Sequence, residues 1–317
     1  MELQEELPHY VRWFFFDEAI KNSYFELMHK GDSMKNNIDL HMHSIYSDGT
    51  YTPAELVICA RQKGLSAISL TDHDITDGLR EAREQCKLQN IQFVNGVEIN
   101  SYYSLNGRRV NIHVLGYAFE EQQIQPYMKK LKQLRYEHNE AIRKELLAIG
   151  IALSYEDLGL SSDKNIITRL NFAKALVKKG YAGNVQEALI KYLHKGGTAY
   201  VEYHNDPFDV VAQKIHEAGG IVSLAHPAEY ELDDTDMESL ILCLKKEGLE
   251  AVECIHPSQS VLYSDKIRAI AENNDLKLTG GSYFHGRGED ENGLGIGGQG
   301  MAIPETFLSA LLKKTSL

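Results

Sequence analysis

Short apolar runs alternate with amphipathic segments along most of the chain. From residue 37 onward the apolar runs predict seven strands, at residues 37–41, 65–71, 91–99, 109–117, 221–226, 249–257 and 276–282. The segments between most of them carry apolar residues at helical spacing. The first helix has a clear start, because Thr52 and Glu55 have the spacing of a capping box around Pro53. Strands that alternate with helices predict an α/β fold with parallel strands and, at this length, a closed barrel.

The alternation breaks between residues 118 and 199. Three helical patterns follow one another there, at residues 124–150, 168–180 and 184–196. We therefore predict a helical insertion, 118–199, within a barrel formed by residues 37–117 and 200–317. Residues 1–36 form an N-terminal extension that fits neither pattern. One hypothesis is that translation begins naturally at Met34 and that the extension is not native. The alternative is a helix that docks on the barrel.

The composition is that of an ordinary globular protein, with 43% hydrophobic and 25% charged residues. No apolar run is long enough to cross a membrane, and the four cysteines lie far apart, as expected of reduced residues in a cytoplasmic protein. The formal net charge of −12 argues against a coat of duplex nucleic acid, which requires a basic face. The predicted insertion is mildly basic and could guide a small anion. On charge alone we favour the simpler interpretation, an ordinary solvated helix surface.

Histidines and carboxylates gather at the ends of the predicted strands. They are His41, His43, His73, His113, His226, His256 and His285, with Asp48, Asp72, Asp74 and Glu98. Because the carboxyl ends of parallel barrel strands meet at one mouth, we expect these side chains to share a site. His41 and His43 stand two positions apart on a strand and so face the same way. Paired imidazoles beside carboxylates are typical of a site for Zn, Mn or Fe, in which Glu98 could bridge two ions.

Six motifs in this region resemble the PHP (polymerase and histidinol phosphatase) family. They are DLHMHSIYSDG, SLTDHDITDG, GVEIN, NIHVLGY, SLAHP and GSYFHG, in order over about residues 38–286. The insertion, with ITRLNFAKALVKKGY and YLHKGGTAYV, is similar to the branch that includes nucleoside 3′,5′-bisphosphate phosphatases and a related 5′-to-3′ exoribonuclease. The resemblance implies a distorted (β/α)7 barrel. It also implies a metal-dependent phosphoesterase that acts on such nucleotides or on the 5′ ends of short oligonucleotides.

The resemblance further implies two or three metal ions, divalent or of mixed valence, drawn from Mn, Zn and Fe. The implied ligand sets are His41, His43 and Glu98 for the first ion, Glu98, His113 and His226 for the second, and Asp48, His73 and His285 for the third. These eight residues are thereby expected to be both the metal ligands and the catalytic residues. Asp72 or Asp74 is expected to orient a ligand histidine from outside the set.

One position departs from the family pattern. The last motif normally carries an Asp that binds the first metal, and here that residue is Tyr283. A neutral phenol, with a pKa of about 10, is a weak ligand. The first site is therefore expected to be weak, or to be completed by the phosphate of a substrate. Glu289 or Asp290 could also supply the missing carboxylate.

Substrate specificity is expected to come from the insertion. Arg169 and Lys195 match positions in the resembling branch, and either could bind a second phosphate or lie at a helix end as a surface charge. His256 is expected either to contact the substrate or to support a ligand. The expected reaction is in-line attack on phosphorus by a hydroxide that the metals activate, with no covalent intermediate.

Two alternative functions are left open by the sequence. One is a histidinol-phosphate phosphatase, against which the large insertion argues. The other is a degenerate barrel that binds a phosphorylated ligand without turnover, as Tyr283 would allow. The expected partner is in every case a small phosphorylated molecule rather than a membrane, and the oligomeric state is left open.

Overall fold

The computed structural model of the protein describes residues 37–159, 167–286 and 293–313. The predicted N-terminal extension, residues 1–36, lies outside the described residues, and so do Glu289 and Asp290. Both hypotheses for the extension, a non-native segment and a docking helix, therefore stay predictions.

Seven strands form one sheet whose order follows the chain. They are β1 (Ile38–Asp39), β2 (Ala67–Leu70), β3 (Gln92–Leu105), β4 (Arg108–Tyr117), β5 (Ile221–Leu224), β6 (Ala251–Ile255) and β7 (Lys277–Gly280). The chain after β7 returns to the chain after β1. The Leu40 amide donates to the Gly280 carbonyl at 3.2 Å, and the His43 amide donates to the Phe284 carbonyl at 2.9 Å. These bonds bring the edges of the sheet together, and the predicted distorted (β/α)7 barrel is confirmed.

β4 runs against its neighbours, so the prediction that all strands are parallel was wrong. It pairs antiparallel with β3 and β5, whereas the other neighbouring strands pair in parallel. The cause is local, because Asn106 and Gly107 have φ of 51° and 77° and turn β3 straight back into β4. Positive φ at both positions is typical of two-residue hairpin loops, which Asn-Gly favours. Because β3 is 14 residues long, the hairpin extends beyond the part that pairs with β2 and β5.

Nine α-helices lie in the described parts of the chain. They are α1 (Pro53–Gln62), α2 (Leu79–Gln89), α3 (Glu121–Ala148), α4 (Arg169–Lys178), α5 (Val185–Ala188), α6 (Phe208–Glu217), α7 (Asp234–Lys246), α8 (Val261–Asn273) and α9 (Glu305–Leu311). The predicted capping box opens α1, where the Glu55 amide donates to the Thr52 hydroxyl at 3.2 Å and the Thr52 amide donates to the Glu55 carboxylate at 2.8 Å. None of these described helices has both the length and the apolar character that a membrane span requires.

Two clusters of buried apolar side chains stabilise the fold. The larger fills the barrel and the layer between its strands and the surrounding helices. The smaller lies within the predicted insertion and includes Phe172 and Leu176 of α4. The long helix α3 contributes to both, since Leu131 packs in the larger cluster and Leu146 in the smaller one. The predicted insertion thus has an apolar cluster of its own, and α3 connects this cluster to the larger one. Its boundaries at residues 118 and 199 stay a prediction.

Candidate metal centre

The carboxylate of Glu98 lies fully buried on β3, at the mouth of the barrel. Its Oε2 atom is 3.2 Å from Nε2 of His41, 3.2 Å from Nε2 of His43 and 3.0 Å from Nδ1 of His73. His41 and His43 follow β1, and His73 follows β2, so three neighbouring strands deliver these side chains. The i, i+2 spacing of His41 and His43 brings both imidazoles to the same oxygen, as the sequence predicted.

Two further histidines lie against the other oxygen of Glu98. Nδ1 of His113 is 2.7 Å and Nε2 of His226 is 2.9 Å from Oε1, and these two nitrogens are 3.1 Å apart. His226 follows β5, as expected of a residue at the end of a parallel strand. His113 reaches the site from within β4, opposite Asn100 of β3, because β4 runs in the reverse direction. The predicted convergence is therefore present, although one strand achieves it antiparallel to the rest.

Asp48 forms a second centre of contacts beside Glu98. Its Oδ1 atom is 3.3 Å from Nε2 of His285 and 3.7 Å from Nδ1 of His43, and its Oδ2 atom is 3.7 Å from Nε2 of His73. His43 and His73 therefore lie between two carboxylates, with one ring nitrogen toward Glu98 and the other toward Asp48. Shared side chains of this kind allow adjoining cation sites to form within one cluster.

The structure brings together each of the three predicted ligand sets. It also gathers three combinations that the sequence did not predict, and the first joins His41 to Glu253 and His256. His73 lies with Glu98 and His113, and His43 joins Asp48, His73 and His285. The cluster is therefore more interlinked than three separate sets. The assignment of individual residues to individual ions stays a prediction.

Buried donor atoms without partners mark the same place. Among the residues that the structure describes, the following atoms lie close to other members of the cluster yet form no hydrogen bond: Nε2 of His41, Nε2 of His43, Nδ1 of His73, Oδ1 of Asp48 and Oε2 of Glu98. Buried polar atoms are nearly always hydrogen-bonded, so this concentration of unsatisfied atoms indicates a ligand. Imidazole nitrogens and carboxylate oxygens are the ligands that Zn, Mn and Fe accept. The residues present therefore fit the metal ions that the sequence predicted.

Glu253 holds one of these imidazoles in place, and sequence reasoning missed it. Its carboxylate is fully buried on β6, with oxygens 3.0 Å and 3.2 Å from Nδ1 of His41, and it accepts a hydrogen bond from the His226 amide at 2.7 Å. Because Nδ1 of His41 faces Glu253, Nε2 is the nitrogen turned toward Glu98, and carboxylates commonly orient metal-binding imidazoles in this way. The available signal was an acid inside the apolar strand AVECI, since a buried carboxylate requires a partner.

Burial and neighbouring charges set different protonation states in the cluster. Burial opposes a charge on His41, but the carboxylates of Glu253 and Glu98 outweigh it and raise the pKa of His41 well above its usual value. Burial and the neighbouring His285 lower the pKa of His43 well below its usual value. Burial works against ionisation of Glu98 as well, yet the surrounding histidines hold its pKa well below the usual range. A neutral imidazole at His43 and an ionised Glu98 are the forms that bind metals.

Asp72 supports the loop after β1 and reaches a histidine only indirectly. Its carboxylate accepts hydrogen bonds from the Ser44 amide at 2.7 Å, the Ser44 hydroxyl at 2.6 Å and the Ser47 hydroxyl at 2.6 Å. The Ser47 hydroxyl in turn lies 3.5 Å from Nδ1 of His43. Burial raises the pKa of Asp72 to about 6 in spite of these bonds. Any orienting effect of Asp72 on a ligand therefore passes through Ser47.

Asp74 has an asparagine and an arginine as partners. It accepts hydrogen bonds from the backbone amide and the side chain of Asn100, each at 3.0 Å, and its carboxylate pairs with the guanidinium of Arg135 on α3. The structure thus places Glu253, rather than Asp72 or Asp74, directly against a ligand histidine, and the orienting role expected of Asp72 or Asp74 stays a prediction. Asp74 instead fixes Arg135, a buried residue that looked in the sequence like one more helix-surface charge.

Tyr283 lies among the histidines, where the motif normally carries an Asp. Its ring centroid is 4.4 Å from that of His285, 4.8 Å from that of His256 and 5.1 Å from that of His41. Burial, together with the nearby carboxylates, raises the pKa of Tyr283 well above its usual value, so the phenol is neutral. The side chain therefore brings a ring and a hydroxyl to the cluster, but no negative charge.

A cavity of about 270 Å³ opens beside the cluster. Asp48, His73 and Tyr283 line it on the barrel side, and Arg135 and Arg169 line it on the side of the helical segment. Arg169 is the first residue of α4, so the start of that helix faces the cavity. The structure thus brings Arg169 to the cavity, and its role in binding a second phosphate stays a prediction. Two arginines opposite a metal-binding cluster suit an anion with more than one charged group.

The other two predicted substrate-binding residues are placed differently. Lys195 is exposed just after the π-helical turn Leu189–Leu193 and is not one of the described residues that line the cavity. His256 is buried beside Tyr283, and its Nδ1 accepts a hydrogen bond from the Ser258 amide at 3.2 Å. Its Nε2 has no hydrogen-bond partner in the described part of the chain. Both predicted roles of His256, substrate contact and support of the cluster, remain predictions.

Similarity to known proteins decides the family. Residues 39–253 match the family model described as PHP domain. The chain belongs to the PHP family. The matched segment runs from β1 into β6 and contains every proposed metal ligand except His285, which follows β7.

Relatives of this PHP protein are similar over most of their length. A 3′,5′-nucleoside bisphosphate phosphatase from Chromobacterium violaceum is 32% identical over 262 residues, covering 82% of this chain and 90% of the relative. A 5′-3′ exoribonuclease from Haemophilus influenzae is 31% identical over 254 residues, covering 80% and 91%. The solved structure of a metal-dependent phosphoesterase from Bifidobacterium adolescentis has a TM-score of 0.74 at 25% identity, covering 87% of this chain and 95% of that one. These similarities confirm the predicted class, a metal-dependent phosphoric ester hydrolase.

Proposed function

We propose that this PHP protein hydrolyses phosphate monoesters of nucleotides that carry a second phosphate. Nucleoside 3′,5′-bisphosphates and the 5′ ends of short oligonucleotides both meet this description. The observation that carries the proposal is the pair Arg135 and Arg169, which faces the histidine and carboxylate cluster across one cavity. One phosphate would lie at the cluster and the second at the arginines. The names of the two relatives, a nucleoside bisphosphate phosphatase and an exoribonuclease, support this substrate class.

The cluster is proposed to hold two or three ions of Mn, Zn or Fe. The proposed ligands are His41, His43, Asp48, His73, Glu98, His113, His226 and His285. When bound, such ions lower the pKa of water to about 7 and neutralise phosphoryl oxygens, which the very slow hydrolysis of phosphate monoesters requires. The protein positions the ligands through Glu253 and Asp72, which bond to His41 and to the loop after β1.

The two arginines are suited to different parts of the second phosphate. Arg135 is held in place by Asp74 and by the ring of Tyr203, whose centroid is 4.5 Å from the guanidinium carbon. Its Nε atom has no hydrogen-bond partner among the described residues. Arg169 is exposed at the amino end of α4, where the helix dipole also favours an anion. A planar guanidinium binds two phosphate oxygens at once, which favours arginine over lysine in this role.

Tyr283 would contact the substrate in this arrangement. A neutral phenol at the cavity wall can donate a hydrogen bond to a phosphoryl oxygen. A phenol binds a metal ion more weakly than a carboxylate does, and the hydrogen bond from Tyr283 to the bound phosphate would offset this loss. The unsatisfied donor atoms argue only against a degenerate barrel that has lost its metal, which would leave them buried at a cost.

Histidinol phosphate fits the cavity less well than a nucleotide with two phosphates. It carries one phosphate and a cationic amine. With the phosphate at the cluster, the amine would approach Arg135 and Arg169, and like charges in a partly buried site repel. This specific mismatch, rather than the size of the helical segment alone, argues against that alternative.

Phosphate release by the purified full-length protein tests the proposal. The protein would be loaded with Mn, its metal content measured by elemental analysis, and its activity compared on adenosine 3′,5′-bisphosphate, a 5′-phosphorylated dinucleotide and histidinol phosphate. We expect hydrolysis of the first two and loss of both metal and activity in Glu98→Gln. Protein that retains its metal and binds nucleotide but releases no phosphate would overturn the proposal, and so would a preference for histidinol phosphate.

A further inference from the structure

The hairpin of β3 and β4 carries a row of side chains that begins at the candidate metal centre. Glu98, Asn100 and Tyr102 follow one another on β3 at two-residue intervals, so their side chains share a face. On β4, His113 lies opposite Asn100 and Asn111 lies opposite Tyr102. Directly opposed residues of an antiparallel pair have their side chains on the same face. The row therefore leads from Glu98, past Asn100 at the cavity wall, to Tyr102 and Asn111.

Tyr102, Asn111 and Arg109 form the outer end of this row, here named the outer row. The guanidinium carbon of Arg109 lies 3.7 Å from the centre of the Tyr102 ring. Its Nε atom donates to the Asn111 side-chain oxygen at 3.3 Å, and its Nη2 atom donates to the side-chain oxygen of Asn205. Arginine has five N–H donors, so these two bonds use fewer than half of them. An exposed guanidinium fixed beside an aromatic ring offers a positive charge and a stacking surface together.

The opposite face of the hairpin is used for packing. Val110 and Ile112 are buried on that face, and the Tyr103 hydroxyl donates to the Glu247 carboxylate at 3.3 Å. Arg108 is exposed at the end of the hairpin and, by the alternation of the strand, belongs to the same face. The hairpin thus packs through one face and carries the outer row on the other, so Arg108 is a natural control for Arg109.

We propose that the outer row binds the second nucleotide of a 5′-phosphorylated oligonucleotide, an inference that rests on the proposed function. Strand residues two positions apart are about 6.7 Å apart, so Tyr102 lies about 13 Å from Glu98 along β3. This distance suits the second nucleotide, counted from a 5′-terminal phosphate that lies at the cluster. Its base would stack on the pair of Tyr102 and Arg109, while its phosphate lies at Arg135 and Arg169. Stacking beside positive charge is how many proteins bind single strands without reading their sequence.

The test compares two substrates in matched variants. The quantity is kcat/KM for a 5′-phosphorylated dinucleotide divided by kcat/KM for adenosine 3′,5′-bisphosphate. We expect Arg109→Ala and Tyr102→Ala each to lower this ratio about tenfold, since stacking of a base on an aromatic ring or a guanidinium has an effect of this size. The effect should lie mainly in KM for the dinucleotide. Arg108→Ala removes the same charge from the opposite face and should leave the ratio unchanged.

The possible outcomes separate this inference from the proposed function. If the unsubstituted protein hydrolyses neither substrate, the proposed function is wrong, and calorimetric titration of the same proteins with the dinucleotide tests the outer row directly. If both substrates are hydrolysed but Arg109→Ala leaves the ratio unchanged, the outer row does not bind the second nucleotide. An equal effect of Arg108→Ala would also overturn the inference, because it would show that the overall positive charge of the hairpin matters and the position of Arg109 does not.

Discussion

The carboxylate of Glu253 lies 3.0 Å from Nδ1 of His41, although 212 positions separate the two residues in the chain. The contact joins β6 to the end of β1 inside the barrel. The same carboxylate accepts the His226 amide at 2.7 Å, so it also fixes the backbone of a residue that touches the other oxygen of Glu98. One buried acid outside the proposed ligand set therefore positions both sides of the cluster.

Replacing Glu253 by Gln should weaken metal binding without unfolding the protein. The amide keeps one acceptor oxygen and has no negative charge, so it should hold His41 and the His226 amide less strongly than the carboxylate, which presents two oxygens. We expect metal affinity, measured by competition with a chelator, to fall about 10- to 100-fold. Glu272→Gln, which changes an exposed acid on α8, is the matched control. Unchanged metal affinity in Glu253→Gln would contradict the orienting role.

Replacing Tyr283 by Asp should strengthen the first metal site. The variant adds an anionic oxygen beside His41 and His43, whose ring centroids lie 5.1 Å and 5.3 Å from that of Tyr283. The backbone at this position has φ of 54°, which Asp and Asn tolerate better than Tyr, so strain should not increase. We expect elemental analysis to show more metal bound per chain, or faster turnover with the same metal.

Tyr283→Asn is the control for that experiment. Asn has the size of Asp without the charge, so it should remove the ring and leave metal content at or below that of the unsubstituted protein. If Tyr283→Asp changes neither metal content nor rate, the neutral phenol is not what limits the first site.

Replacing Arg169 by Ala should reduce discrimination in favour of a second phosphate. The guanidinium at the start of α4 lines the cavity, whereas Lys195 is exposed away from it. Charge-assisted hydrogen bonds contribute about 1.5–3 kcal/mol, which corresponds to a loss of about 10- to 150-fold in kcat/KM for adenosine 3′,5′-bisphosphate. Adenosine 5′-monophosphate should be affected much less. Lys195→Ala removes a positive charge from the same segment and should have little effect, and equal losses in the two variants would argue against the assignment.

The buried residue His138 should make the fold sensitive to acid. Its Nε2 atom donates to the Val201 carbonyl at 3.1 Å, and burial lowers its pKa to about 4. In the unfolded chain the pKa is about 6.5, so between these values the unfolded state binds a proton that the folded state does not. The free energy of unfolding therefore falls as the pH is lowered from about 6.5 to about 4, by up to about 3 kcal/mol.

Urea unfolding of His138→Gln isolates this contribution. Gln can keep the hydrogen bond to Val201 but does not titrate, so the variant should lose less stability than the unsubstituted protein between about pH 7 and pH 4.5. His204→Gln, which changes an exposed histidine, should show the same pH dependence as the unsubstituted protein. Identical pH dependence in His138→Gln would show that His138 is not the titrating group.

Most residues of the candidate site could be predicted from the sequence because they stand within or just after predicted strands. His41 and His43 share a strand face whatever surrounds them, and the alternation of strands and helices predicted the barrel that gathers the remaining residues. Glu253 and Arg135 could not be found in this way. Each reads as an isolated charge, and only barrel closure and the packing of α3 bring them to His41 and to Asp74.

Lys195 is exposed and does not line the cavity, so its predicted contact with a phosphate stays a prediction. One error has a local physical cause. The reversal of β4 was recoverable from the Asn106-Gly107 pair, because that dipeptide strongly favours a two-residue hairpin loop. The regular alternation of the other strands and helices led to the prediction of parallel strands, although no helical pattern separates β3 from β4.

The Asn106-Gly107 turn has a consequence for how proteins of this architecture diverge. Beyond Tyr102, which forms a bridge with Pro207, the two arms pair only with each other in the described part of the chain, so adding or deleting one residue on each arm there leaves the barrel register intact. Changes of two residues on each arm would keep every side chain in phase. Related proteins could thus come to prefer longer or shorter oligonucleotides through a change in the length of this hairpin, while the residues of the metal centre stay the same.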